Sequence, residues 1–387
     1  MVAPLLRFTE FTDDWEETTL ENLAEVERGK FSVRPRNDPR YFDGEMPFVQ
    51  TGDVAGSDMY LKGYSQTLNA DGIKVSKVFP ADTILITIAA NIGDTTITRY
   101  AVACPDSVVA IQSKKDKANT IFLKNLIDLQ KEVLDSQATQ NAQKNINLQV
   151  LKPLELFAPS IEEQTKIASF LSNVDEKISQ LTQKHQLLSQ YKQGMMQKLF
   201  SQQIRFKADD GSEFGEWVEW KFASCIDIFD NLRKPVSASE RKVGFTPYYG
   251  ANGIQSYIDG YTHEGEFILI AEDGANDLIN YPVQYVNGKI WVNNHAHVVS
   301  GKQHIVDNKF LKYRLGSIDF TKYLVGGGRA KLNAGAMKEI AFLLPCLEEQ
   351  TKIANFLSEI DQKIEVVAQQ IEQAKIWKKG LLQQMFV

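Results

Sequence analysis

PSIEEQTKIASFLSNVDEKI at Pro159–Ile178 recurs 186 residues later as PCLEEQTKIANFLSEIDQKI at Pro345–Ile364. The two stretches are identical at fourteen of their twenty positions. The same offset relates KQGMMQKLF at Lys192–Phe200 to KKGLLQQMF at Lys378–Phe386. Repetition at a fixed spacing indicates that the chain contains two copies of one plan, each a variable block followed by a closely repeated segment.

Both repeated segments are predicted to be long coiled-coil helices. In each, Glu-Glu-Gln places acidic side chains in the first turn, where the helix dipole favours them. Apolar residues then recur every 3.5 residues over 33 residues, which is typical of a supercoiled helix roughly 50 Å long. The seam positions are Ile167, Leu171, Val174, Ile178, Leu181, His185, Leu188, Lys192, Met195 and Leu199, then Ile353, Leu357, Ile360, Ile364, Val367, Ile371, Ala374, Lys378, Leu381 and Met385.

The two helices are expected to pack on each other within the chain. A zipper between two chains needs one such helix, whereas this chain has two, so we favour an antiparallel intramolecular coiled coil with pseudo-two-fold symmetry. A homodimer through either helix is the alternative. The predicted domains are a first target-binding block at 1–158, a spacer helix at 159–203, a second block at 204–344 and a second spacer helix at 345–387.

The two variable blocks are predicted to be α+β domains that share one fold. Short β-like runs alternate with glycine-containing turns in both, and Asn287-Gly288 is predicted to be a hairpin turn. Met46–Val54 parallels Thr246–Ile254, and Ala81–Thr87 parallels Gly265–Ala271. The predicted strands are Met46–Gln50, Thr83–Ile88, Phe267–Ile270, Tyr281–Val286, Lys289–Val292 and Ala296–Val299.

Composition excludes several classes of protein. The chain has 387 residues, of which 43% are hydrophobic, so an extensively disordered chain is excluded. No run of about 18 apolar residues predicts a membrane span, and the N-terminus has no apolar signal-peptide core. Cys104, Cys225 and Cys346 are odd in number and widely spaced, which predicts a reduced, cytoplasmic protein.

The net charge of −6 conceals an uneven distribution. Residues 1–27 carry one base against eight acids, and residues 201–220 carry two against five. Residues 28–144 carry fifteen bases against thirteen acids, and residues 221–340 carry fourteen against twelve. The variable blocks are therefore mildly basic, which permits DNA binding without requiring it.

Motifs for nucleotide chemistry are absent from the sequence. There is no GxxxxGK[ST] phosphate loop, no GxGxxG fingerprint and no Asn-Pro-Pro-aromatic tetrapeptide. Gly326–Arg329 is glycine-rich but has no strand-to-helix context, and His295-x-His297 alone does not make a metal site. We therefore predict no ATP-driven work in this chain, no metal and no cofactor of its own.

The repeated helical stretches closely resemble the paired helical regions of DNA specificity subunits of type I restriction-modification systems. WEETTLENLAEV at Trp15–Val26, with its echo WVEWKFASCIDIF at Trp217–Phe229, resembles the start of that family's target-recognition domains. YYGANGIQSYIDGY at Tyr248–Tyr261 and IWVNNHAHVV at Ile290–Val299 do so as well. The resemblance covers essentially the whole chain, in the order recognition domain, helix, recognition domain, helix.

The resemblance implies a non-catalytic function in double-stranded DNA recognition. Each recognition domain would read one half of a bipartite, asymmetric sequence through the major groove, and the helices would set the gap between the halves. Two modification subunits, which supply S-adenosylmethionine and methylate adenine N6, would dock on the helices. Restriction subunits that use ATP and Mg to translocate and cleave DNA would join them.

Candidate contact residues are polar side chains near glycines and strand ends, because amides suit adenine and basic groups suit guanine. We predict DNA contacts at Gln50, Thr51, Asp53, Asn91, Thr139, Gln140, Tyr248, Tyr249, Asn252, Asn293, Asn294, His295, Arg329 and Lys331. Exposed helix positions expected to face the modification subunits are Gln164, Lys166, Gln350 and Lys352. Turn stabilisation and solvated helix faces are the alternative interpretations of these residues.

Two other functions stay open on the sequence alone. A non-DNA adaptor with two binding domains on a coiled-coil rod would explain the repeat and the acidity, but not the family-like motifs. A methyltransferase or nuclease with fused recognition domains would require cofactor motifs that the sequence lacks. Salt-dependent, sequence-selective DNA binding separates the specificity subunit from the adaptor, and S-adenosylmethionine binding by the isolated chain would favour the enzyme.

Overall fold

The structure, a computed structural model, describes residues 2–89, 91–138, 145–326 and 330–387. The chain forms two units, one comprising Met1–Gln180 with Gln370–Val387 and the other comprising Leu181–Gln369. Each unit contains an α+β domain and parts of both long helices, α7 (Ile161–Phe200) and α11 (Leu347–Met385).

The first unit is built from ten strands and six helices that precede α7. Its strands are β1 (Glu16–Thr19), β2 (Ala24–Arg28), β3 (Phe42–Phe48), β4 (Gln66–Leu68), β5 (Val78–Phe79), β6 (Ile84–Thr87), β7 (Thr95–Ile97), β8 (Val102–Ala103), β9 (Val108–Ser113) and β10 (Glu155–Ala158). Its helices are α1 (Leu20–Leu23), α2 (Thr51–Ala55), α3 (Ala70–Lys74), α4 (Thr120–Leu129), α5 (Lys131–Ala138) and α6 (Leu148–Leu151). These counts refer to the described ranges.

The second unit repeats this arrangement between α7 and α11. Its strands are β11 (Val218–Lys221), β12 (Ile226–Ile228), β13 (Thr246–Gly250), β14 (Gly253–Ile258), β15 (His263–Ala271), β16 (Val283–Val292), β17 (Ala296–Gly301) and β18 (Ala341–Leu344). Its short helices are α8 (Phe222–Cys225), α9 (Asn308–Leu315) and α10 (Ala334–Lys338).

The two domains share one topology, which confirms the expectation of a common fold. The first domain has sheets in the order β2-β9-β6-β7 and β4-β3-β8-β5, and the second has one sheet in the order β12-β17-β15-β16-β13-β14. Strands β5 and β6 together correspond to β15, and β7 and β8 together correspond to β16. In both domains an antiparallel two-stranded ribbon, β1-β10 or β11-β18, leads into a long helix.

The prediction of a hairpin turn at Asn287-Gly288 is wrong. Both residues lie inside β16, where Gly288 pairs with Gly265 and Asn287 pairs with Glu266. Gly288 and Gly265 have φ values of 99° and 137°, so facing glycines let the two strands bend together without a break. A glycine pair in mid-strand produces the same sequence signal as a two-residue turn.

Each domain core continues onto the seam of the long helices. In the first unit, Ile167 and Leu171 of α7 are buried in one cluster with Leu381 and Met385 of α11. In the second unit, Leu199 of α7 is buried with residues of α11 such as Leu357. Within each unit, buried seam positions such as Leu171 and Val174 of α7 and Leu357 and Ile360 of α11 follow the predicted 3.5-residue spacing.

The long helices are antiparallel and pair within the chain, as expected. In the first unit the Asp175 carboxylate lies 2.6 Å from the Lys378 ammonium, and in the second unit the Asp361 carboxylate lies 2.5 Å from the Lys192 ammonium. These are the two lysines that interrupt the predicted seam. The pairs are equivalent under the 186-residue repeat, so each copy supplies the acid for the other copy's lysine. Within the described ranges, no helix has an apolar stretch sufficient to cross a membrane.

Candidate nucleic-acid interface

Each domain is fastened to the start of its long helix by a partly buried arginine that pairs with a buried glutamate. Nε and Nη2 of Arg7 each lie 2.7 Å from a carboxylate oxygen of Glu163, whereas Nε and Nη2 of Arg205 lie 3.1 and 2.7 Å from those of Glu349. Hydrogen bonding to these carboxylates raises the pKa of Arg7 and of Arg205. Both glutamates are buried, so the segment before each domain is held rigidly against its helix.

The expectation that Gln164 and Gln350 are exposed is wrong. Each side chain is only 1% exposed. The Gln164 amide accepts from Asn119 N and donates to two backbone carbonyls, at 2.9–3.1 Å, and Gln350 makes the equivalent three bonds in the second unit. The Gln164 amide joins the start of α7 to the start of α4, and the Gln350 amide joins the start of α11 to the start of α9. Both amides therefore position the domain and do not face a partner.

Lys166 and Lys352 are more accessible than the glutamines and form equivalent ion pairs. Lys166 pairs with Glu10, 2.5 Å away, and Lys352 pairs with Asp209. The Lys166 side chain is 51% exposed and that of Lys352 is 24% exposed. Both lysines remain candidates for contact with a partner.

In the second domain, several predicted contact residues come together at one end of the sheet. Asn293 Oδ1 accepts from His295 N at 2.8 Å, and Asn293 N donates to Tyr249 O at 3.1 Å. Asn252 Nδ2 donates to Gly274 O at 2.9 Å, beside Asp273, which lies 2.5 Å from His295 Nδ1. The structure thus assembles a rim at which Asn252 is exposed and the His295 imidazole is partly exposed, whereas Asn293 is only 4% exposed and supports the rim from inside.

The other predicted contact residues of this domain differ in their exposure to solvent. Burial raises the pKa of Tyr249, which keeps its phenol a neutral hydrogen-bonding group, and Asn294 is exposed at the same rim. Tyr248 is only 1% exposed and its hydroxyl accepts from Val236 N at 3.0 Å, so it supports the rim from inside. Arg329 lies outside the described residues.

Beneath the rim lies a charge-compensated network. Ligand atoms of Asp230, Glu272 and His297 lie within 4.8 Å of one another, as in a metal site. However, Glu272 bonds Arg233 at 2.7 Å and Lys331 at 2.9 Å, and these hydrogen bonds lower its pKa although burial opposes ionisation. The cations already neutralise the acids, so this network fits a structural support better than a metal site. It also holds the predicted contact residue Lys331 at the rim.

The first domain presents a smaller polar cluster at the start of α2. Gln50 Nε2 donates to Gln66 Oε1 at 2.9 Å, and Gln50 N donates to the Asp53 carboxylate at 2.8 Å. Thr51 begins this helix, whereas Asn91 is exposed in the separate turn between β6 and β7. The structure therefore groups Gln50, Thr51 and Asp53 but not Asn91. Thr139 and Gln140 lie outside the described residues.

Sequence reasoning missed a basic loop that precedes the hairpin of each domain. The loop between β2 and β3 and the loop between β12 and β13 each carry four basic residues. They are Lys30, Arg34, Arg36 and Arg40 in the first domain, and Arg233, Lys234, Arg241 and Lys242 in the second. The density of bases in RPRNDPR at 34–40 was the available signal. All of these bases except Arg233 and Arg241 are exposed. Exposed basic groups suit phosphates, whereas amides at a sheet end suit base edges, so both loops add to a surface able to bind duplex DNA.

Comparison with known proteins gives one consistent family. A model of the type I restriction modification DNA specificity domain matches residues 12–190 and 217–375. A putative type I restriction enzyme specificity subunit of Haemophilus influenzae is 49% identical over 144 residues, which are 37% of each chain. A putative type I specificity subunit of Methanocaldococcus jannaschii is 25% identical over 96% of this chain and 93% of that protein.

Solved structures show the same fold. The S subunit of a type I restriction-modification system from M. genitalium matches 100% of this chain and 99% of that chain, with a TM-score of 0.66 at 17% identity. A chain from a study of complex assembly in the type I system matches 96% of this chain and 97% of that chain, with a TM-score of 0.57 at 13% identity.

Proposed function

The chain belongs to the type I restriction-modification DNA specificity family, and from that premise we propose that its two domains read the two halves of a bipartite DNA site. The domain formed around β2–β9 would read one half-site and the domain formed around β12–β17 would read the other. Because their rims differ in sequence, the two halves would be unlike, and the complete site would be asymmetric.

The observation that carries this proposal is one topology used twice with different surfaces. Both domains have the same strand order and the same arginine–glutamate fastening. The rims differ, with Gln50 and Gln66 in one and Asn252, Asn294 and His295 in the other. Two domains that recognise different DNA sequences require the same scaffold with different polar side chains on the contact surface.

The long helices would set the gap between half-sites and dock two modification subunits. Equivalent aromatic patches support two docking sites for one kind of partner. In the first unit Phe170 contacts Trp377 with ring centroids 6.1 Å apart, and Trp377 is 54% exposed. In the second unit Phe356 and the 51% exposed Tyr191 occupy the repeat-equivalent positions.

Catalysis would reside in the partners. The modification subunits would bring S-adenosylmethionine and methylate adenine N6, and the restriction subunits would bring ATP- and Mg-dependent cleavage. This chain would be non-catalytic and would position them by reading DNA. The mildly basic domains fit such sharing, because the partners would neutralise further phosphates.

Exchange of one domain tests the proposal. Residues 28–157 are replaced by the corresponding block of another family member, and adenine methylation is mapped in cells that also contain the modification subunit. One half-site word should change while the other word and the gap persist. Exchange of residues 221–344 is the reciprocal control and should change the other word. A change of both words by either exchange would contradict independent readers, and methylation without sequence selectivity would favour the adaptor function.

A further inference from the structure

One turn of the second domain carries two apolar side chains in full contact with solvent. It joins the basic loop to β13 and reads Val243-Gly244-Phe245. Val243 is 95% exposed and Phe245 is 99% exposed. Exposure of isolated apolar residues is common, but two such side chains at one tip, one of them aromatic, form a protrusion that can enter a partner.

Basic residues precede this apolar tip. Residues 233–245 carry four bases against one acid, Glu240, but Arg233 pairs with Glu272, and the exposed Asp259 lies beside Lys242. Lys234 and Lys242 are exposed. An apolar protrusion flanked by cations complements duplex DNA, whose phosphates flank an apolar base stack.

The tip is rigidly braced from both sides. Lys242 O accepts from Asp259 N at 2.9 Å, and Thr246 pairs with Ile258 at the start of the hairpin. A Cβ added at Gly244 would lie 2.4 Å from the backbone of Ile258 and Asp259, so the turn packs directly on the end of β14. Pre-organisation of this kind removes the entropic cost of ordering a loop on binding.

Arg241, two residues before Val243, is held in place by contacts of its guanidinium group. Its guanidinium lies 3.9 Å from the centroid of the Tyr248 ring, and Nη1 donates to Ser256 Oγ at 3.0 Å. Nε donates to Val236 O at 3.1 Å. Since Arg241 is held by the hairpin itself, the adjacent Lys242 is the group that extends toward a phosphate.

The first domain has opposite chemistry at the equivalent positions, which form a bulge inside β3. The strand pairs Met46–Leu68 and Thr246–Ile258 are equivalent, which aligns Gly44 with Gly244 and Glu45 with Phe245. A Cβ at Gly44 would also clash, at 2.3 Å, with the end of the partner strand. At this tip the side chains are Asp43 and Glu45, both exposed acids. The equivalent positions thus carry apolar side chains in one domain and acidic side chains in the other, although the backbones differ, because Asp43 has a φ of 61° within the bulge of β3.

From this asymmetry we infer that Phe245 is a wedge that enters the base stack of the half-site bound by the second domain. This inference rests on the proposed function and adds a mode of recognition to it. Insertion of an apolar side chain unstacks one base step and kinks the duplex, at a cost that is lowest for flexible pyrimidine–purine steps. The second half-site would therefore be selected partly by deformability, and the first half-site would not be.

The test uses the full chain in complex with its modification subunits and a duplex that carries its methylation site. 2-Aminopurine, whose fluorescence rises on unstacking, replaces one base at a time outside the methylated adenine. Binding of the wild-type protein should raise the 2-aminopurine fluorescence at one base step in or beside the second half-site. Phe245→Ala should abolish that signal and weaken binding roughly 10- to 100-fold, as expected for loss of one aromatic stacking contact. Phe245→Leu, which keeps an apolar side chain at the tip, should retain much of the fluorescence rise and much of the affinity.

Matched variants distinguish an inserted side chain from a phosphate contact and from a protein contact. Glu45→Ala, at the equivalent tip, should leave the signal and the affinity unchanged. Lys242→Gln should reduce the slope of log affinity against log salt by about 0.9, the value for one phosphate contact, and keep the signal. Unchanged affinity and fluorescence in Phe245→Ala would overturn the wedge. So would failure of that variant to assemble with the modification subunits, because the tip would then bind protein. Absence of selective DNA binding by the wild-type complex would instead refute the proposed function.

Discussion

Glu349→Gln is the substitution that most sharply tests how each domain is fastened to its helix. The buried Glu349 carboxylate accepts two hydrogen bonds from Arg205 and one from Trp217 Nε1, the last at 3.0 Å. A glutamine offers one acceptor oxygen and turns an NH₂ group toward these donors. Breaking a buried ion pair costs about 3–5 kcal/mol, and because Arg205 keeps some solvent contact we expect about 3 kcal/mol.

The repeat supplies a matched comparison at Glu163. That carboxylate binds Arg7 in the same way, but Trp15 Nε1 has no hydrogen-bond partner among the described residues. Glu163→Gln therefore loses one hydrogen bond fewer, and we expect a cost of about 2 kcal/mol. Glu348→Gln is the control, because it removes a charge from the same first helical turn at an exposed position.

Hydrogen exchange measured by mass spectrometry reports these costs locally. Peptides covering 347–357 should exchange about 100-fold faster in Glu349→Gln than in wild type, while Glu348→Gln should change exchange severalfold at most. Equal effects of Glu348→Gln and Glu349→Gln would refute a role for the buried ion pair. A larger effect of Glu163→Gln than of Glu349→Gln would refute the contribution assigned to Trp217.

Two further outcomes concern the long helices. Asp361→Asn should lower the free energy of unfolding, measured in urea, by about 2 kcal/mol, and the repeat-equivalent Asp175→Asn should lower it by about 1 kcal/mol. The difference arises because Asp361 also accepts a hydrogen bond from Tyr313 Oη at 2.7 Å, whereas one Asp175 oxygen has no partner in the described ranges. Burial opposes ionisation of Asp361, but hydrogen bonds from Lys192 and Tyr313 lower its pKa, so its contribution is complete above the ordinary value of 3.8 and is lost as pH falls below it. A wild-type advantage over Asp361→Asn that does not decrease as the pH falls below 3.8 would contradict this. Residues inserted into Ile178–Met195 should change the gap in the methylated motif and spare both words; an unchanged gap in active variants would rule out the spacer role.

The helices were predictable because one property determines them. Apolar spacing of 3.5 residues specifies which side of a helix is buried, and the duplication identifies the partner. The acid partners of the polar breaks at Lys192 and Lys378 were not predicted; in the structure each lysine faces an aspartate of the other copy. The shared fold of the two domains was predictable because similar strand patterns recur in both blocks, as in Met46–Val54 and Thr246–Ile254.

The contact surface was less predictable because it depends on tertiary neighbours. Gln164 and Gln350 have the composition of exposed helix residues, yet backbone groups from distant segments bury their amides. Asn287-Gly288 has turn chemistry, but a facing glycine at 265 keeps it inside a strand. The acidic and apolar tips at Glu45 and Phe245 become comparable once strand register aligns them.

Mapping adenine methylation across the genome tests two-domain recognition most directly. Cells that carry this chain with its modification subunit are compared with cells that lack the chain. We predict a new methylated motif made of two short, unlike words separated by a fixed number of unread base pairs. A complex that assembles and methylates DNA without such a split motif would contradict two-domain recognition.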